Sequence, residues 1–187
     1  LQKERTNDMQ EIICFHRPEE ENGYLSNWFP SAFEKDGHRF SSMEQYMMWS
    51  KAMVFQDSET AEAILKAAAP GEIKALGRSV RNYGETVWNG LRQIVVHEGL
   101  LEKFRQNREL LSSLEGTGDA ILAECAVGDR IWGIGLSVRD SRRLSTAQCR
   151  GQNLLGFALM RVRLAFYVEE WQFETGILTM KFLNIKK

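Results

Sequence analysis

The stretch Ser42-Met43-Glu44-Gln45-Tyr46-Met47-Met48-Trp49-Ser50-Lys51-Ala52-Met53-Val54-Phe55 decides how this chain reads. Ser41 or Ser42 offers an N-cap, and the spacing predicts a helix from about Met43 to Phe55. Seven residues of helix turn through roughly 700°, so Glu44 and Lys51 share a face about 10 Å apart along the axis. Met47, Met48 and Phe55 lie on or near that face. Burial among them would raise a Glu pKa and lower a Lys pKa, which yields an acid/base and an amine nucleophile near neutral pH. A solvated face is the ordinary fate of a Glu and a Lys taken singly.

Before this helix, Phe33 to Phe40 reads as a hairpin turning on Asp36-Gly37, the pair best suited to a tight turn. The aromatic segment Tyr24-Leu25-Ser26-Asn27-Trp28-Phe29-Pro30 precedes it, and Ile12-Ile13-Cys14-Phe15 suits a short buried strand. Residues 1–11 form a polar lead-in. After the helix, Ser58 opens a second one through Ala61 to Ala69. Pro70 starts a third that Gly77 ends, and a long pattern from Glu85 carries Trp88, Leu91, Ile94, Val95, Leu101 and Phe104. Arg108 to Leu114 is helical, and Gly116-Thr117-Gly118 breaks it. Ile121-Leu122-Ala123 and Ile131-Trp132-Gly133-Ile134 read as short strands, and Gln152 to Leu164 as a last helix. The sum is a mainly helical α+β fold with a small sheet: one domain over 12–165, followed by an extension over 166–187. In that extension Trp171 and Phe173, then Leu178, Met180 and Phe182, alternate like a hairpin.

The chain has 187 residues, 43% of them hydrophobic, with 24 Lys+Arg against 25 Asp+Glu and a formal net charge of -1. That composition excludes a disordered chain and argues against bulk electrostatic coating of nucleic acid. No apolar run approaches the roughly 20 residues of a membrane span. The polar start does not read as a secretory signal, and the absence of an initial Met leaves room for an upstream segment. Cys14, Cys125 and Cys149 do not form a disulfide framework, so a cytoplasmic protein is expected, or a nuclear one in a eukaryote. His16, His38 and His97 share no ligand spacing, and no metal or cofactor is expected.

Two further clusters carry potential chemistry. Glu124, Asp129 and Trp132, beside Gly133 and Gly135, offer carboxylates and an indole on which a planar ring can stack. A core Trp beside a surface loop explains that segment equally simply. Gly151-Gln152-Asn153 enters a helix and is preceded by Arg139, Arg142, Arg143 and Arg150, as a phosphate site would be. Capping by Asn153 beside a solvated basic loop is the plain alternative.

One ordered series runs through Leu25-Ser26-Asn27-Trp28-Phe29, Asp36-Gly37, Ser42-Met43-Glu44-Gln45-Tyr46 with Lys51-Ala52, Leu76-Gly77-Arg78 and Lys103-Phe104. It continues through Leu122-Ala123-Glu124, Asp129 with Trp132-Gly133, and Gly151-Gln152-Asn153-Leu154-Leu155-Gly156 with Leu159-Met160 and Arg163. In this it resembles the NADAR domain, also called the YbiA-like family, over roughly residues 12 to 165. The resemblance implies an α+β N-glycosidase acting on a ribosylated amine. The substrate is a phosphoribosyl-aminopyrimidine of early riboflavin synthesis in some members and ADP-ribosylated guanine in nucleic acid in others.

It also implies that Glu44, Lys51 and Asp129 are catalytic, with Asn27, Trp28, Tyr46, Glu124, Trp132, Gly133, Gly151 and Asn153 at the ligand. Arg139, Arg142, Arg143 and Arg150 are then the candidate phosphate contacts, which favours ADP-ribosylated guanine over the riboflavin intermediate. Lys51 could attack C1 of an opened ribosylamine as a Schiff-base nucleophile while Glu44 shuttles protons, or a carboxylate could activate water directly. Many relatives carry His after the helix Glu, where this chain has Gln45, so any proton relay through that His is missing. A non-catalytic reader of ADP-ribose is the rival from another class, and the retained Glu44 and Lys51 argue against it.

Overall fold

A computed structural model describes residues 11–174, with side chains described as far as 170. The Asp36-Gly37 turn forms as its sequence demands, with φ of 53° and 78° at the two residues. It joins β2 (Phe33–Lys35) to β3 (His38–Phe40) in antiparallel register, Phe33 opposite Phe40. β1 (Ile12–Phe15) pairs instead with the distant β4 (Ile121–Glu124), in parallel, Ile12 opposite Ile121 and Phe15 opposite Glu124. Among the described residues the fold is therefore α+β with two small sheets and no βαβ series.

Between those strands run α1 (Met43–Val54), α2 (Ser58–Lys66), α3 (Pro70–Arg78), α4 (Glu85–Gln106) and α5 (Arg108–Glu115), and α6 (Leu154–Glu174) follows β4. α1 is central and packs on α2, α3 and α4, while α6 packs on α4 and β4. One hydrophobic core joins them, from Phe15 and Leu25 through Phe40, Met43 and Leu100 to Leu155 and Leu159. Among the described residues no helix is long and apolar enough to cross a membrane.

Ser42 caps α1, its hydroxyl accepting the Gln45 N–H at 3.3 Å. The aromatic loop is fastened to the same end: the Glu44 N–H donates to the Asn27 carbonyl at 2.8 Å. From α4 the fully buried Lys103 donates to the carbonyls of Tyr24 (2.6 Å) and Ser26 (3.3 Å), so one cation holds that loop in place. Burial lowers the pKa of Lys103 to about 7.

The structure corrects five details. α2 ends at Lys66 rather than Ala69: the chain is already extended at Ala67 (ψ 135°), and Ala69, before proline, is extended too at ψ 128°. α3 continues one residue past Gly77. On α4 Trp88 and Phe104 are buried as expected, but the rest of the buried face is Arg92, Val96, Gly99, Leu100 and Lys103, two of them long cations, with Leu91 and Ile94 exposed. Residues 131–134 are not a strand, since Asp129 Oδ1 accepts the N–H groups of Ile131 (2.9 Å) and Trp132 (2.8 Å) and bends the chain. α6 runs through Trp171 and Phe173 to Glu174, so the first arm of the expected terminal hairpin is helical. Its second arm, like residues 1–10 of the 1–11 lead-in, lies outside the described residues.

Candidate active site

Five segments meet at a cavity of about 320 Å³. The first half of α1 supplies Glu44, Met47 and Met48, and its last turn supplies Lys51. α3 supplies Lys74, Gly77 and Arg78. The loop before β2 contributes Asn27 and Trp28, the end of β4 contributes Glu124, and the bend after it contributes Asp129, Ile131 and Trp132. The α1 spacing of seven residues does bring Glu44 and Lys51 to one cavity.

Three of the polar atoms here are unusual in having no protein partner. Asn27 Oδ1, Glu44 Oε1 and Glu124 Oε2 are sealed from solvent and unbonded, three of the seven such side-chain atoms among the described residues. A buried acceptor without a donor costs about 1–3 kcal/mol, so three around one hollow set this cavity apart from the satisfied core. Glu44 is raised above its usual pKa, mainly by burial; Lys74, a hydrogen bond from Trp28, and Arg78 oppose the shift. Glu124 is pushed up to about 8 by burial, then by the charges of Asp129 and Glu44, against Lys74. Lys51 donates to the Gly77 carbonyl at 2.7 Å and lies 4.3 Å from the centre of the Tyr83 ring, and burial lowers its pKa. The cavity thus holds neutral-leaning acids beside an amine with an enlarged neutral fraction, the set that proton transfer and nucleophilic attack require.

Beyond Asp129 the cavity opens into a groove of about 790 Å³ bordered by His16, Arg17, Lys74, Arg78 and Arg139, with Glu20 the one further acid. Lys74 also sits 5.2 Å from the Trp28 ring, joining groove to cavity.

Residues 14–166 match the NADAR domain. The chain belongs to the NADAR family. It is 38% identical over 144 residues to N-glycosidase R617 of Acanthamoeba polyphaga mimivirus, covering 74% of this chain and 85% of that one. It is 31% identical to a riboflavin biosynthesis protein of Vibrio vulnificus, covering 85% of this chain and 40% of that longer one. The solution structure of Escherichia coli YbiA superposes with a TM-score of 0.73 at 26% identity, over 88% of this chain and 89% of that one.

Within this NADAR domain several residues expected at the ligand stand elsewhere. Tyr46 is buried in an aromatic cluster with Phe33, Phe40 and Trp49, and burial pushes its pKa up to about 12. Gly151 and Gly133 serve close backbone packing, since a Cβ on Gly151 would strike the Gly133 carbonyl and the Arg130 backbone. Asn153 fastens the site from behind: its Oδ1 accepts the Glu124 N–H at 3.1 Å and its Nδ2 donates to the Leu122 carbonyl at 2.8 Å.

The start of α6 is not a free anion site. The N–H groups of Gln152, Asn153, Leu154 and Leu155 donate to the carbonyls of Arg130, Gly133, Ile131 and Trp132, so the bend consumes the donors a phosphate would need. Arg142 pairs with Asp140 at 2.6 Å, Arg143 donates to the Asp140 carbonyl at 3.2 Å, and Arg150 packs against Gly135. Of the four arginines only Arg139 borders the groove.

Lys74 and Arg78 are the cations that sequence reasoning passed over. Their i, i+4 spacing was a readable signal, but only the packing of α3 on α1 shows which way that face looks. Gln45, in place of the expected His, performs no relay. Its amide accepts from Ser41 N–H (2.7 Å) and donates to the carbonyls of Ile64 (2.9 Å) and Ala67 (3.1 Å), clamping the end of α2.

Proposed function

We propose that this protein is an N-glycosidase that hydrolyses the C1–N bond between a phosphate-bearing ribose and an aromatic amine or nucleobase. The observation that carries this reading is the trio of unpartnered buried oxygens, Asn27 Oδ1, Glu44 Oε1 and Glu124 Oε2, on one small cavity that also holds Lys51. The base stacks at Trp132, whose other flank carries the Arg92 guanidinium 5.9 Å from the ring centre. Phosphates extend over Lys74 and Arg78 towards Arg17 and Arg139, in place of the Arg142–Arg143 turn. Lys51, with its lowered pKa, attacks C1 of the opened ribosylamine, and Glu44 serves as acid/base partner. Borohydride added during turnover should then fix an adduct on Lys51. Full activity with no adduct would remove the covalent route and leave attack by water.

ADP-ribosylated guanine is our preferred substrate. The cationic groove is larger than the cavity beside it and carries more positive charge than a single phosphate calls for. A phosphoribosyl-aminopyrimidine is the second reading, favoured by the likeness to the Vibrio vulnificus riboflavin biosynthesis protein. Side-by-side turnover of an ADP-ribosyl-guanine oligonucleotide and a phosphoribosyl-aminopyrimidine decides between them. A higher kcat/KM for the second would overturn the preference.

A further inference from the structure

The three cysteines lie far apart in sequence, yet the fold gathers them on one face of the small β1–β4 sheet. Cys14 stands opposite Ala123 in the parallel register, so it shares a face with Ala123 and with Cys125 two residues on. That face is turned away from the main core. Ala123, Cys125, Ile134 and Leu136 are buried on it, with Cys14 and Cys149 packed against them. All three thiols are free.

Their settings differ. Cys125 is 1% exposed and follows Glu124 directly. Cys14 is partly exposed and meets both the Cys125 thiol and the Arg143 guanidinium, whose Nε is buried and unmatched. Cys149 is partly exposed too, but its thiol is spent on the Ser145 carbonyl at 3.7 Å. An accessible sulfur between a thiol donor and an arginine is the setting in which a thiolate forms. The hydrogen bond from Cys125 and then Arg143, against burial, bring the Cys14 pKa down to about 7, whereas burial raises that of Cys149.

We propose that Cys14 is a modification site: a hydroperoxide oxidises it, and Cys125 then closes a disulfide with it. The Cys14 thiolate attacks one peroxide oxygen. The O–O bond breaks, the sulfur gives up two electrons to become a sulfenic acid, and the other oxygen leaves and takes a proton. Cys125 next attacks the Cys14 sulfur. The S–O bond breaks, the S–S bond forms, and the departing hydroxide takes the Cys125 proton as water. Two thiols and hydrogen peroxide thus give one disulfide and two waters.

The bond has a consequence for the cavity. The sulfurs begin in hydrogen-bond contact and end about 2 Å apart, and diagonal neighbours on adjacent strands are spaced wider than a disulfide prefers, so closing it moves backbone. Residue 125 has little slack, because its N–H donates to the Phe15 carbonyl at 2.8 Å, and Glu124 before it lines the cavity. The disulfide therefore draws Glu124 out of place. On the N-glycosidase reading above, on which this step rests, oxidation switches turnover off and reduction restores it.

The test treats the reduced whole chain with stoichiometric hydrogen peroxide. Its intact mass should fall by two hydrogens, and peptide mapping should join Cys14 to Cys125 while Cys149 stays open to alkylation. Turnover of the ribosylamine it accepts should drop on the order of 10²-fold, the cost of a misplacement of about 1 Å, and return with dithiothreitol. In Cys125→Ala, which cannot close the bond, dimedone should trap the sulfenic acid on Cys14. Cys14→Ser, at the partly exposed position, should keep its turnover under peroxide, and Cys149→Ala should behave as wild type.

No mass change, a disulfide that includes Cys149, or a dimedone adduct on another cysteine would overturn the pair. A Cys14–Cys125 disulfide with turnover within twofold of the reduced enzyme would overturn its control of the site. If the reduced chain turns over neither ribosylamine, the N-glycosidase reading has failed, and the mapping still decides the pair.

Discussion

Glu44 and Gln45 are neighbours in the chain and both buried, yet they leave α1 about 100° apart and meet opposite conditions. Gln45 belongs to a clamp between the start of α1 and the end of α2 in which its oxygen and its amide both find partners. Asp57, at the N-cap of α2, is satisfied by the N–H groups of Thr60 and Arg81 and by the Arg81 guanidinium at 2.6 Å. Glu44 faces a cavity with one oxygen unmatched, as do Asn27 and Glu124. Burial alone does not separate these groups. Satisfaction does: the completed bonds of Gln45 and Asp57 hold the helices, and the unmatched oxygens line the cavity proposed for the substrate.

That contrast is open to attack by substitution. The largest effect should come from Glu44→Gln, with kcat down about 10²- to 10⁴-fold and a melting temperature no lower than wild type. A variant that loses activity only because it unfolds would break the contrast. Next comes Gln45→Ala, which strands the Ala67 carbonyl and the Ser41 N–H and leaves the Ile64 carbonyl with the Ala67 N–H alone. At about 1–3 kcal/mol for each buried polar group left unpaired, melting should drop by several degrees, while kcat per folded molecule stays within twofold. A tenfold loss of kcat in the folded variant would move Gln45 from the clamp into the chemistry.

Lys74→Met with Arg78→Met should raise KM about tenfold, the loss of a charge-assisted contact or two, whereas Arg142→Ala leaves KM unchanged. The reverse ranking would return the phosphates to the 139–150 loop. The smallest effect is on acid stability. The Arg81 hydrogen bonds hold Asp57 well below the usual carboxylate range, so its contribution is present above the unfolded pKa near 3.8 and fades as pH falls. The melting gap between wild type and Asp57→Asn should therefore narrow between pH 6 and pH 3. A constant gap would mean that the Asp57 charge is not what Arg81 stabilises.

Sequence reveals the local half of this architecture. The Asp36-Gly37 turn, the Ser42 cap and the Glu44–Lys51 face each depend on residues within two helical turns, and each is legible for that reason. The start of α6 is different. Gly151-Gln152-Asn153 has the composition of an anion site, but whether its N–H groups are free depends on the carbonyls of residues 130–133, which fold back onto it. The arginines of the 139–150 loop mislead in the same way, because Asp140 engages two of them. Lys103 is hidden by its own chemistry: nothing local announces that a lysine will be fully buried to hold two carbonyls of the aromatic loop. The NADAR resemblance supplied Glu44 and Lys51 directly. It could not say that Glu44 and Glu124 would each keep an unpartnered oxygen on one cavity, because that arises only where α1, α3 and the end of β4 meet in space.

The most direct test of the account is a crystal structure of the protein with ADP-ribose bound. The account predicts the ribose in the cavity of about 320 Å³, with its C1 hydroxyl within hydrogen-bond reach of Glu44 and Glu124 and its phosphates against Lys74 and Arg78. A ribose bound at the start of α6 or along the Arg142–Arg143 turn, with Glu44 Oε1 and Glu124 Oε2 still unpartnered, would contradict it.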